Sequence, residues 1–130
     1  CPLISAGDAD VLLAFDQNEA IRNLHFLKDG GHCVINVHRR EAFQNESLKT
    51  YLAKRKIDAF LLNGYEILNE HMGGNYLFLN VLILGAMGGL NIGGISFEEI
   101  KEAVSTLSPA KFRDDNLKAL ELGKNAVHAS

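Results

Sequence analysis

The residues of this chain that could do chemistry are few and scattered. His38-Arg39-Arg40 follows a strand-like run, and open α/β sheets form their ligand crevice at the carboxyl ends of strands. Two arginines there can hold a phosphate or carboxylate through paired hydrogen bonds. A solvated basic loop explains the same residues more simply, and is the reading the sequence favours. Asp16 ends an earlier apolar run in an equivalent position, but it stands three residues before Glu19. Capping a helix is enough to account for it. Asn80 lies among Leu77, Phe78, Leu79, Val81, Leu82 and Ile83. An amide inside an apolar helix needs hydrogen-bond partners, since an unmet one costs about 1–3 kcal/mol. Two readings stay open for it: a bond to neighbouring backbone, or a side chain facing a ligand or subunit crevice.

Other candidates point to structure. His32 and His38 share a strand face but stand six residues apart, and no spacing supplies further ligands, so a metal site is not expected. Cys33 alternates with them, on the side of Ile35 and Val37, and nothing adjacent would lower its thiol pKa, so it reads as a buried structural cysteine. A dinucleotide fingerprint needs G-x-G-x-x-G between a strand and a helix. Gly88-Gly89 instead follows a helix, and no G-x-x-x-x-G-K-[ST] occurs. The glycines therefore read as caps and close-packing positions. No Ser-His-Asp order, nucleophile elbow or paired carboxylate supports an independent hydrolase.

Composition narrows the classes further. The 130 residues fit one domain, with 47% apolar and 22% charged side chains, an ordinary globular balance. Thirteen basic residues against sixteen acidic ones leave a net charge of −3, which is not the footprint of a nucleic-acid binder. No basic amphipathic helix suggests a membrane surface, and the apolar run from Tyr76 to Met87 is too short for the roughly 20 residues of a span. Two cysteines without a C-x-x-C pair can build neither an iron–sulfur cluster nor a structural zinc site, and a cytoplasmic setting is expected. The opening Cys1-Pro2-Leu3-Ile4 reads like the middle of a protein, and the true N-terminus is expected elsewhere.

The elements that must position these residues form an α/β pattern. Ala9–Phe15 is a nearly unbroken apolar run of strand length, as in helix-covered parallel sheets. Asp16 then caps a helix carrying Ala20, Ile21, Leu24 and Leu27, which Asp29-Gly30-Gly31 stops. His32–Val37 is a second strand, completing a βαβ unit, and Ile57–Leu62 a third, with a short helix over Leu48–Lys56 between them. The rest is helical: Tyr65–Met72 broken by Gly73-Gly74, a long helix capped by Asn75 and ending near Met87, and a helix opened by the Ser96/Glu99 capping box. The last helix is expected to start at Ser108 with Pro109 in its first turn. Its inner face carries Phe112, Asn116, Ala119, Leu120, Gly123 and Val127, with Gly123 admitting a close backbone. No domain boundary is evident. Three strands are few for a sheet covered on both faces, and the first lacks an earlier strand to pair with.

With these elements in place, the chain resembles the gamma subunit or domain of the 2-oxoacid:ferredoxin oxidoreductases. The similarity runs through Cys1-Pro2-Leu3-Ile4 and Gly7–Asp16 to Leu27-Lys28-Asp29-Gly30-Gly31. It continues in Asn80-Val81-Leu82-Ile83-Leu84-Gly85-Ala86, matching the family's N-x-x-x-L-G-A helix, and in Asp115–Gly123. The resemblance implies an α/β, three-layer Rossmann-like domain with a mostly parallel sheet and a helical C-terminal half. Residues 1–130 would be the C-terminal major part of one gamma-type domain whose N-terminal part is absent. The family's glycine-rich opening segment, G-x-G-G-Q-G, has no counterpart here, so phosphate contacts expected from it cannot be assigned.

The function so implied is oxidative decarboxylation of a 2-oxoacid, such as pyruvate or indolepyruvate, to an acyl-CoA by a hetero-oligomer, with this chain not catalytic alone. Thiamine diphosphate and iron–sulfur clusters would belong to other subunits, alpha and beta with delta as a further candidate, and electrons would pass to a ferredoxin-type acceptor. The gamma part would help form the coenzyme A side of the site and a subunit interface, and Asn80 is the residue carried over to that role. Two rival readings are the second half of a nicotinamide-dependent dehydrogenase, with Asp16 and His38–Arg40 near a dinucleotide, and a non-catalytic scaffold subunit.

Overall fold

A computed structural model describes residues 5–38 and 45–129. The chain divides into two compact units, Cys1–Asn63 and Gly64–Ser130.

The first unit is a parallel sheet in the order β1-β2-β3: β1 is Ala9–Ala14, β2 Leu27–Asn36 and β3 Asp58–Leu62. Leu12 pairs with Cys33 and Ala14 with Ile35, while Cys33 and Ile35 pair on the other side with Ala59 and Leu61. Side chains alternate across a strand, so these residues share one face. Ala20 and Leu24 pack on it from α1 (Gln17–Asn23) and the turn after it, and Leu48 and Leu52 from α2 (Glu46–Lys54). Parallel strands need crossover connections, and the apolar runs of the sequence are the strands such helices cover.

β2 begins earlier than the expected His32. α1 stops at Asn23, a single 3-10 turn covers Leu24–Phe26, and the strand starts at Leu27. Asp29-Gly30-Gly31 therefore does not stop the helix. It lies in an irregular stretch where the register jumps from Ala9↔Leu27 to Val11↔His32. Gly30 takes φ +79° there, a left-handed geometry that glycine tolerates in a bulge as readily as at a helix end. Its N–H donates to the Arg55 carbonyl at 2.9 Å. The Arg55 guanidinium in turn donates to Asp29 Oδ1 at 2.8 Å, to the Tyr51 hydroxyl at 2.6 Å and to the Leu27 carbonyl. One arginine thus ties the end of α2 to the irregular start of β2.

The second unit is helical: α3 (Gly64–Met72), α4 (Leu79–Gly89), α5 (Phe97–Leu107) and α6 (Arg113–His128). Asn75 caps as expected, but it caps a 3-10 turn at Tyr76–Phe78, accepting from Leu77 N at 3.1 Å, before α4 begins. The Ser96/Glu99 capping box forms with both reciprocal bonds, 3.0 and 3.1 Å. Pro109 departs from expectation. Its ψ of 143° is extended, it precedes a 3-10 turn at Ala110–Phe112, and α6 opens only at Arg113. Arg113 Nε donates to the Ser105 carbonyl at 2.7 Å, which satisfies an orphan acceptor in the last turn of α5. Ala119, Leu120, Gly123 and Val127 are buried along α6, the face read from the sequence. The α/β class, the parallel sheet and the helical second half stand as expected.

Candidate functional site

Asn80 occupies the second position of α4 and is exposed. The amide is therefore not enclosed, contrary to what its apolar neighbours imply, because the helix turns it away from the buried Leu79, Leu82 and Ile83. Its Oδ1 accepts from Val81 N at 2.9 Å, the local backbone bond that was one of the two readings. The first N–H groups of a helix have no intrahelical acceptor, so the bond satisfies an orphan donor and leaves the amide hydrogens outward. Around it α4 is uncharged, and Leu77 is 63% exposed.

Beside Val81 and Leu84 the surface sinks into an apolar groove of about 470 Å³ between α4 and α5, continued by Ile95, Ile100, Val104 and Leu107. Asn116 of α6 lies in it, already bonded through Nδ2 to Ser108 Oγ at 2.9 Å. Glu99 is the charged residue in its lining. Bonds from the Ser96 backbone and side chain hold that carboxyl below its ordinary value.

The carboxyl ends of the strands form a second polar region. Asp16 Oδ1 accepts from Glu19 N at 2.7 Å, and Glu19 Oε1 accepts from Phe15 N at 3.2 Å. The cap read from the sequence is therefore present, with the reciprocal bond displaced by one residue from a capping box. Asn36 is the one buried polar side chain among the described residues, 1% exposed, and its Nδ2 donates to the Phe15 carbonyl at 3.1 Å. Sequence reasoning passed over it, although an amide closing the run Cys33-Val34-Ile35 was a visible signal. Asn63 Nδ2 donates to the His38 carbonyl at 2.8 Å. His38 is exposed, while Arg39 and Arg40 lie outside the described residues.

Cys33 is buried in the sheet core. Burial, with a smaller contribution from Asp58, pushes its thiol up to about 12, so at neutral pH it is a packing residue and not a nucleophile. His32 Nδ1 stands 3.6 Å from Asp58 Oδ2. Among the described residues no group of three or more His, Cys, Asp or Glu side chains could hold a metal ion, and no helix is long and apolar enough to cross a membrane.

Residues 2–126 match the family described as pyruvate ferredoxin/flavodoxin oxidoreductase. The chain is 30% identical over 134 residues to the indolepyruvate oxidoreductase subunit IorB of Pyrococcus horikoshii, covering 96% of this chain and 66% of that protein. It is 29% identical over 141 residues to the IorB subunit of Thermococcus kodakarensis, with the same coverage. It thus spans 66% of the length of the curated relatives it matches. Its structure is similar to that of the gamma subunit of a keto/oxoacid ferredoxin oxidoreductase from Geobacter sulfurreducens PCA, with a TM-score of 0.70 and 27% identity, over 97% of this chain and 68% of that one. The segments Gly7–Asp16, Leu27–Gly31, Asn80–Ala86 and Asp115–Gly123 that carried the resemblance all lie inside the matched stretch, and the chain belongs to the pyruvate ferredoxin/flavodoxin oxidoreductase family.

Proposed function

We propose that this chain is the gamma-type part of a 2-oxoacid:ferredoxin oxidoreductase, acting with alpha- and beta-type subunits, and with delta where one exists, in a reducing cytoplasm. The complex would convert a 2-oxoacid and coenzyme A into an acyl-CoA and CO2, passing two electrons to a ferredoxin-type acceptor. The observation that carries the reading is the extent of the likeness: the family match takes in residues 2–126, and the structural match to a gamma subunit covers 97% of the chain. The relatives named for indolepyruvate make that 2-oxoacid the first substrate to try.

Thiamine diphosphate, bound by other subunits, would supply the electron sink that decarboxylation needs. An iron–sulfur cluster does not fit this chain, whose two cysteines fall short of the usual four thiolates. Asn80 suits a place on the coenzyme A side of the site. Its Oδ1 is engaged by Val81 N, which fixes the amide plane and directs two N–H donors outward, toward a carbonyl or phosphate oxygen.

The test is reconstitution with candidate alpha and beta subunits, following 2-oxoacid- and CoA-dependent reduction of a low-potential dye across a panel of 2-oxoacids. Activity that requires this chain and no NAD supports the proposal. Asn80→Ala is expected to raise KM for coenzyme A about tenfold, the worth of a single lost hydrogen bond, with assembly unchanged. Unaltered kinetics in that variant would leave the chain a scaffold. Absence of both complex and activity, with NAD binding, would favour a dehydrogenase.

A further inference from the structure

Two asparagines tie the carboxyl ends of the strands together, each reaching from one strand to the chain leaving its neighbour. Asn36, the last residue of β2, donates through Nδ2 to the carbonyl of Phe15, the first residue past β1, at 3.1 Å. Asn63, the first residue past β3, donates through Nδ2 to the carbonyl of His38, two residues past β2, at 2.8 Å. We infer that Asn36 and Asn63 are positioning residues for coenzyme A: they hold the chain leaving β1 and β2 in the arrangement that meets an anionic group of that ligand. This rests on the proposed function, which makes coenzyme A a substrate of the complex.

The two bonds continue the sheet where its backbone ladder runs out. Val37 N still donates to the Leu62 carbonyl at 2.9 Å. At the next step the donor is a side chain, because the chain turns from β3 into α3 at Gly64. On the other side of β2 the Phe15 peptide is held at both ends, its N–H by Glu19 Oε1 at 3.2 Å and its carbonyl by Asn36. Asp16, the next residue, caps α1. Ligands of open parallel sheets bind outside the carboxyl ends of the strands, and the connections that line such a crevice are the ones these amides hold.

Packing alone does not call for an amide at position 36. Val34 and Ile35 before it are buried aliphatics, whereas Asn36, 1% exposed, is the one buried polar side chain among the described residues. A buried amide costs stability unless it is bonded. What it adds over an aliphatic group is direction, since a bonded donor fixes one carbonyl in one place. Both amides act on residues beyond the strands, while the sheet core is held by Cys33, Ile35 and Val37 against α1 and α2. Their loss therefore moves the connections more than the core. His38 is exposed at that edge, and a ring N–H suits a phosphate oxygen. Misplacing such a group by about 1 Å can cost up to about 100-fold.

The experiment is steady-state kinetics of the reconstituted complex, with coenzyme A and the 2-oxoacid varied separately. Competitive inhibition by desulfo-coenzyme A, which binds without reacting, is measured alongside. Asn36→Ala and Asn63→Ala should each raise KM for coenzyme A and the inhibition constant about tenfold, the worth of one lost hydrogen bond. KM for the 2-oxoacid and kcat should stay within about twofold. Asn63→Asp, which keeps the shape and removes the donor, should lose at least as much as Asn63→Ala. Arg55→Lys, at the amino end of β2, should leave every constant unchanged. Matching melting curves will certify that the variants fold, and if Asn36→Ala does not fold, the two Asn63 variants decide the matter. Unchanged constants in either Asn63 variant, or equal losses for both substrates, would make the amides purely structural and overturn the inference, with the proposed function standing. A wild-type complex whose activity is indifferent to coenzyme A overturns both.

Discussion

Gly85 of α4 and Gly123 of α6 bring the two helix backbones into contact. A Cβ added at Gly85 would stand 2.0 Å from the Leu120 carbonyl oxygen, and one added at Gly123 would stand 1.9 Å from the Leu82 carbonyl oxygen. Neither obstacle is a side chain that could swing aside. Gly123→Ala and Gly85→Ala must each separate the helices, at an expected cost of about 3 kcal/mol or more, the upper end of overpacking effects. Urea unfolding of each variant measures this. A shift below about 0.5 kcal/mol, ordinary for a surface site, would mean the helices do not cross so closely.

The buried thiol of Cys33 makes a pH-dependent prediction. Its pKa rises from 9.0 to about 12 in the folded protein, so the fold favours the neutral thiol. That contribution is complete below pH 9 and is lost as pH rises from 9 toward 12. Stability should fall through that window, and fall less in Cys33→Ala. At pH 8, alkylation followed by peptide mapping should leave Cys33 unmodified until denaturant is added. Rapid native labelling at Cys33 would contradict its burial.

The capping box of α5 should behave as a local device. Ser96→Ala removes the acceptor for Glu99 N and should cost about 1 kcal/mol, read from the shift in denaturation midpoint. Glu99 contributes in the opposite pH direction from Cys33. Its pKa lies below the ordinary 4.5, so its stabilisation is present above that value and is lost as pH falls beneath it. Ser96→Ala keeps the Ser96 N–H bond to Glu99 Oε1, so that acid dependence should weaken but persist.

Arg55 should govern the start of β2. It reaches Asp29, Tyr51 and the Leu27 carbonyl, and its backbone carbonyl accepts from Gly30 N. The bonds to Asp29 and Tyr51 also raise its pKa above the ordinary guanidinium value. Arg55→Lys keeps the charge but cannot reproduce this forked geometry. Amide exchange over residues 27–31 should accelerate in Arg55→Lys while the β2–β3 pairing from His32 to Asn36 stays protected. Equal acceleration across the whole strand would point to general unfolding.

Much of this protein was legible in its sequence, because the signals concerned were local. Apolar runs of strand length, a polar residue three before a glutamate and Gly73-Gly74 each act through neighbours in the chain, so three strands, the Ser96 box and the break after α3 could be placed directly. The family motif around Asn80 was also readable, since it is a pattern of residue types. What tertiary structure decided involved residues far apart. Asp29-Gly30-Gly31 reads as a helix stop, and only Arg55, 25 residues beyond Gly30, accounts for its place inside an irregular strand. Pro109 reads as a first-turn residue, yet the chain stays extended there and α6 opens at Arg113, which binds the end of α5. Gly85 appeared only as a letter of a motif until the backbone of α6 lay against it. Asn80 looked buried because its neighbours are apolar, but sequence proximity does not reveal which way a helix turns. Local propensity and pattern are properties of a short segment; burial, register and backbone approach depend on partners that only the folded chain brings near.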